Sequence, residues 1–323
     1  MKASSIIQRT YPIVLSVLVL CFLIKTLHIK NIGSITAYVT VPVLLTASIF
    51  YFFVKVINTF RYKIFYKLPN FNLTLTILFL CNCLLNLLPF RAGEVSYVRY
   101  FYKYFRVDYY QGASRLIIIR IFDYLSVFLL VLTSVFFAGT DFLKKSINGR
   151  NFFDYSFYVL LIIGIFVVSA GLVFFLFKKR LYGYVKKIRD PIQKILLQVV
   201  SIRKSELVTL MLLSLSYWFA RIFLGFTIFF MLGIKPGFFV FILISMTMAL
   251  MDILPFKTFA GFGIFEGGYI ALLGLLGYGG ETVFNKIVAI HLVLLFPVIL
   301  FGLLAYIVLF LIYKHHPTSC GVN

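Results

Sequence analysis

"NLLPFRAGE" (Asn86–Glu94) closes one long apolar run, and "DILPFK" (Asp252–Lys257) closes another. Each begins with a short polar residue, then two apolar residues, proline, phenylalanine and a base. Glycine and glutamate follow in both: Gly93 and Glu94, then Gly261, Gly263 and Glu266. Broken backbone inside a bilayer is tolerated only within protein or against a wet cavity. Pro89 and Pro255 each stop a half-helix, because proline lacks an N–H and clashes with the preceding turn. The glycines allow the chain to turn tightly. The next half-helix then starts with exposed N–H groups, a partly positive end. Arg91 and Lys257 add full charge. Two such tips make a place for an anion such as a lipid phosphate. The plainer reading of Glu94 and Glu266 is that they cap the first turns of their helices.

Working outward, the 323 residues are 62% hydrophobic, and several runs exceed the ~18 residues that a membrane span needs. The runs are continuous rather than alternating, which excludes a barrel. The expectation is an all-α polytopic bundle, a single integral membrane domain over 1–323. Spans fall at about 11–27, 35–59, 116–138, 155–177, 207–233 and 282–313. Two shorter apolar stretches, 73–88 and 238–254, stop at the prolines. Lys2 and Arg9 precede the first run without a small-residue cleavage site, so we expect a retained span there.

Net charge is +21. In a chain this apolar, an anionic lipid surface fits that charge better than nucleic acid, and no nucleic-acid partner is expected. The basic stretch 178–206 belongs in the cytoplasm by the positive-inside bias. Crossings counted from a cytoplasmic N-terminus keep it there only if 73–88 dips into the membrane and 92–107 leaves on the same side. The second hairpin then enters from outside, and both termini lie in the cytoplasm. The halves 35–138 and 207–313 thus read as an inverted repeat of two re-entrant hairpins, with a site where the tips meet.

Several ionisable residues sit in or at the ends of apolar runs: Glu94, Arg120, Asp123, Arg221, Asp252, Glu266, Lys286 and His291. A central charge costs ~3 kcal/mol on insertion scales, so these must pair or face water. Arg120 and Asp123, three apart, share a helical face and read as an internal pair. Arg221 lies too deep to snorkel and reads as a cavity residue, with Trp218 in reach to stack on it. His291 reads as a packing histidine. Arg99, Lys103 and Arg106 recur on one face among tyrosines, which suits the headgroup layer or a headgroup entry gate. Cys21, Cys81, Cys83 and Cys320 show no ligand spacing and read as packing residues; neither metal nor cofactor is expected.

Three stretches, "LLPFRAGEVSYVRYF" (87–101), "ASRLIIIRIFDYL" (113–125) and "LPFKTFAGFGIFEGGYIALLGLLG" (254–277), resemble the transmembrane domain of the lysylphosphatidylglycerol synthase/flippase family. Ala260 departs from that resemblance, standing where the first glycine of a pair is expected. Large family members carry a soluble synthase domain, and this chain ends soon after its last span, so the resemblance implies the lipid-moving half. It implies a plasma-membrane flippase for an anionic phospholipid or polyprenyl-linked glycolipid. The residues expected to hold or organise that substrate are Arg91, Glu94, Arg99, Arg120, Asp123, Arg221, Asp252, Lys257 and Glu266.

Two other classes stay open. One is a membrane transferase of envelope lipid or glycan synthesis, although no nucleophile–base set or phosphate-cradling loop is present. The other is an accessory subunit that positions a lipid-modifying enzyme or glycosyltransferase through 178–206. Oligomeric state is left open by the sequence.

Overall fold

A computed structural model describes residues 32–88, 93–144, 204–251, 258–275, 277–278 and 280–315. The expected spans at 11–27 and 155–177, most of the basic segment 178–206, and the tip residues Pro89, Arg91, Asp252, Pro255 and Lys257 lie outside those residues.

The described elements are helical. In chain order they are α1 (Ile32–Thr36), α2 (Val41–Tyr66), α3 (Phe71–Leu87), α4 (Glu94–Phe105), α5 (Tyr109–Lys144), α6 (Lys204–Met231), α7 (Phe238–Met251), a 3₁₀ turn at Phe259–Gly261, α8 (Ile264–Leu275) and α9 (Glu281–His315). Among the described residues four helices are long and apolar enough to cross a membrane: Val41–Tyr66, Tyr109–Ser134, Ser205–Met231 and Thr282–Ile312. About a third of each span is buried against the rest of the protein. On α2 the outward face carries Leu45, Ile49, Phe53, Phe60 and Ile64, all exposed. An apolar stripe of that length suits lipid, not water.

Local chemistry sets the boundaries. The Asn70 side chain accepts from the Leu73 N–H at 3.1 Å and starts α3. That helix stops at Leu88, whose extended φ of −80° and ψ of 134° are what a following proline imposes. Asp108 caps α5 through the Tyr110 N–H at 2.9 Å. At the start of α8 the Gly263 N–H donates to Glu266 Oε2 at 2.6 Å, half of a capping box. The capping reading of Glu266 therefore describes its second oxygen.

The expected span at 35–59 is displaced. The helix starts at Val41 and runs to Tyr66, ending on Lys67 in a left-handed cap. Arg61, beyond the expected end at 59, is therefore a helical residue; it is 2% exposed and faces the core.

Helices α2 and α6 pack together, as do α3 with α9 and α5 with α7. The short pairs α3/α4 and α7/α8 each fold against one another. A Cβ on Gly93 would overlap the backbone of Leu84 and Leu85, so α4 begins in direct contact with the end of α3.

Candidate functional site

The long helices and both interrupted segments enclose a cavity of about 280 Å³. Its lining is unusual for hydrocarbon depth. From α2 come Tyr51, Lys55, Asn58 and Arg61, all buried. Their spacing of three to four residues places them on one face of that helix. Arg120 and Asp123 come from α5, Arg221 from α6, and His291 from α9.

Asp123 organises the polar network. Its Oδ1 forms an ion pair with Arg61 Nη1 and accepts from Trp218 Nε1–H at 3.1 Å. Arg61 also donates to Ser214 Oγ at 3.3 Å, and its guanidinium carbon lies 4.6 Å from the Tyr217 ring centre. Arg120 approaches Asp123 Oδ2 at 3.5 Å and pairs more closely with Glu94, at 3.2 Å. The expected Arg120–Asp123 contact is present, but the short partner of Asp123 is Arg61, from another helix. Arg221 lines the cavity 4.9 Å above Trp218, as its spacing suggested.

Lys55, Arg61, Arg120 and Arg221 line the cavity, and among the described residues Asp123 pairs with Arg61 and Glu94 with Arg120. Lys55 makes no hydrogen bond or ion pair among the described residues; its ammonium lies 5.3 Å from the Tyr51 ring centre. Four buried polar atoms of lining residues also have no partner there: Asn58 Oδ1, Arg61 Nε, Arg120 Nε and Ser245 Oγ. Buried donors and acceptors are normally satisfied, so these mark room for something polar. The arrangement can hold an anion and offers Asn58 Oδ1 as an acceptor for a neighbouring hydroxyl.

The second interrupted segment forms another part of the wall. His291 Nδ1 lies 2.6 Å from Glu266 Oε1, and its Nε2 lies 3.1 Å from the Ala260 carbonyl oxygen. Phe265 and Phe262 stack or tilt against the imidazole at 4.3 and 4.7 Å. Both ring nitrogens have partners, so the histidine is satisfied as well as packed.

The turn glycines divide by role. Gly261 and Gly263 have φ of +78° and +85°, which favours glycine. Gly93 has an ordinary φ of −63° and is needed for close approach, not for the turn. Ala260, standing where a glycine is expected, adopts φ +51° and keeps the turn left-handed despite its Cβ. Arg99 is exposed on α4 and does not line the cavity. Arg106 is the left-handed cap beyond α4, so the three-base face ends at Lys103.

Lys55, Asn58 and Arg61 are the residues that sequence reading missed. A signal was present in their spacing on one face of α2.

Together these features define a multi-pass helical membrane protein built round a cavity lined by basic and polar side chains. The family model "Lysylphosphatidylglycerol synthase TM region" matches residues 10–302, and the chain belongs to that family. No curated protein and no solved structure matches it.

Proposed function

We propose that the protein is a flippase that carries an anionic phospholipid or polyprenyl-linked glycolipid between the leaflets of the plasma membrane, with the headgroup in the central cavity. The observation that carries this reading is the gathering of four basic residues, Lys55, Arg61, Arg120 and Arg221, round one cavity between the membrane-spanning helices. Basic groups clustered at that depth are expensive unless they pair or an anion visits them. The volume lies at the low end for small-ligand pockets, which fits a headgroup with its chains left in lipid. Arg91, Asp252, Glu266 and Lys257 belong to the two tips and organise the entrance. The tips are re-entrant and related by inversion, 178–206 and both termini are cytoplasmic, and no covalent step on the lipid is required.

The test uses purified protein in vesicles containing phosphatidylglycerol, with leaflet exchange as the readout. Arg221→Gln and Lys55→Gln each remove one cavity charge and should slow exchange by about tenfold, the loss of one charge-assisted hydrogen bond. Neutralising Lys186 and Lys187 serves as the control and should leave exchange per bound protein unchanged. Folded Arg221→Gln and Lys55→Gln proteins with normal exchange would remove the cavity from the route. A covalently altered lipid would favour the transferase reading. Exchange that appears only with a partner enzyme would favour the accessory one.

A further inference from the structure

We infer that the cavity selects a phosphodiester whose headgroup carries neutral hydroxyls, a glycerol or a sugar, over one whose headgroup carries an amine, and that Asn58 reads the hydroxyl. The inference rests on the anion-cavity reading above and names the substrate class of that site.

The unmet hydrogen-bonding groups of the wall set what an occupant must offer. Asn58 is 4% exposed and lines the cavity, and its Oδ1 has no donor among the described residues. A carbonyl oxygen only accepts, so whatever meets it must carry a hydrogen on oxygen or nitrogen. Arg61 Nε and Arg120 Nε are buried and lack an acceptor there. Lys55, 3% exposed, has its ammonium over the Tyr51 ring and not on an oxygen. Lysine and arginine only donate, so these three groups ask for acceptor oxygens. Ser245 Oγ, also unmet, can serve either way. A simple phosphodiester supplies acceptors and no donor, and would leave Asn58 Oδ1 bare. A buried acceptor without a donor is costly. A polyol phosphate offers both kinds of group in one molecule.

An amine could also donate to Asn58, and the neighbours decide against it. Lys55 stands three residues before Asn58 on α2 and Arg61 three residues after, so all three share one face. Arg61 is paired with Asp123, whereas Lys55 has no acid partner among the described residues. An ammonium donating to Asn58 Oδ1 would therefore sit within about one helical turn of the Lys55 ammonium. Like charges so placed, away from bulk water, repel strongly. A hydroxyl makes the same hydrogen bond without a charge. Further hydroxyls of a glycerol or a hexose can donate to or accept from Ser245 as well.

The probes are four dihexanoyl lipids with the same tails and the same phosphodiester: phosphatidylglycerol, phosphatidylglucose, phosphatidylethanol and phosphatidylethanolamine. Their binding to the purified full chain is measured by calorimetry near neutral pH. At least one of the two polyol lipids should bind about tenfold more tightly than phosphatidylethanol, which lacks the hydroxyls. The tighter of the two tells a glycerol lipid from a sugar-linked one. Phosphatidylethanolamine should bind at least about tenfold more weakly than that lipid. Asn58→Leu should erase the preference for the polyol lipid while keeping the affinity for phosphatidylethanol within about twofold. Asn58→Ala serves if the leucine variant does not fold, and the ranking by the unaltered protein needs neither. No binding of any of the four lipids would overturn the anion-cavity reading. Binding with phosphatidylethanol or phosphatidylethanolamine level with the better polyol lipid, or a preference kept by the folded Asn58 variant, would overturn the present inference alone.

Discussion

Asp123 shows how a single residue's partner can lie beyond local sequence. Spacing paired it with Arg120, one turn away on α5. In the folded protein its Oδ1 is claimed by Arg61 and Trp218, and Arg120 keeps the longer contact at 3.5 Å. Removing one partner of a buried pair strands the other, at about 3–5 kcal/mol. Asp123→Ala should therefore destabilise strongly, and replacing Arg61 with Met in the same protein should recover part of the loss. A double-mutant cycle on thermal or denaturant unfolding should give a coupling above about 1 kcal/mol for Arg61–Asp123 and a smaller one for Arg120–Asp123. Equal couplings would mean that Arg61 is no stronger a partner of Asp123 than Arg120 is.

At the scale of elements, the two interrupted segments reach similar breaks by different means. The first depends on contact: Gly93 sits where a Cβ would enter the backbone of Leu84 and Leu85. The second depends on conformation: Ala260, Gly261 and Gly263 all take positive φ. These causes predict opposite responses. Gly93→Ala should lose about 1–3 kcal/mol by overpacking, because backbone cannot yield as a flexible side chain can. Ala260→Gly should gain up to about 1 kcal/mol by relieving a left-handed alanine. Thermal melts of the two purified variants check both signs. Destabilisation by Ala260→Gly would show that the methyl group packs usefully enough to offset its backbone cost.

Across the whole molecule, the proposed inverted arrangement of the halves rests on charge and on the count of crossings. Placing 178–206 in the cytoplasm puts 139–152, with Lys144, Lys145 and Arg150, on the outside. The larger basic segment should win that competition, since orientation follows the greater Lys/Arg bias. An impermeant thiol reagent applied from outside should label a cysteine placed at Asn148 and spare one placed at Lys187. The reverse pattern would remove the re-entrant count, and with it the inverted relation between the halves.

The sequence by itself determined the class, the membrane depth of the chain and the positions of the breaks. Those follow from composition, run length and pre-proline geometry, all local properties: Leu88 is extended because residue 89 is proline. It also placed Arg221 beside Trp218, because both lie on one helix. What the tertiary structure decided was which charges meet. Lys55, Asn58 and Arg61 became cavity residues only when α2 turned that face toward α5 and α6. Glu266 met His291 only when α8 packed on α9. Hydropathy records how far a residue is from water along the chain. It does not record the rotation of one helix against another, and that rotation decides whether a lysine reaches out to the headgroups or inward to a ligand.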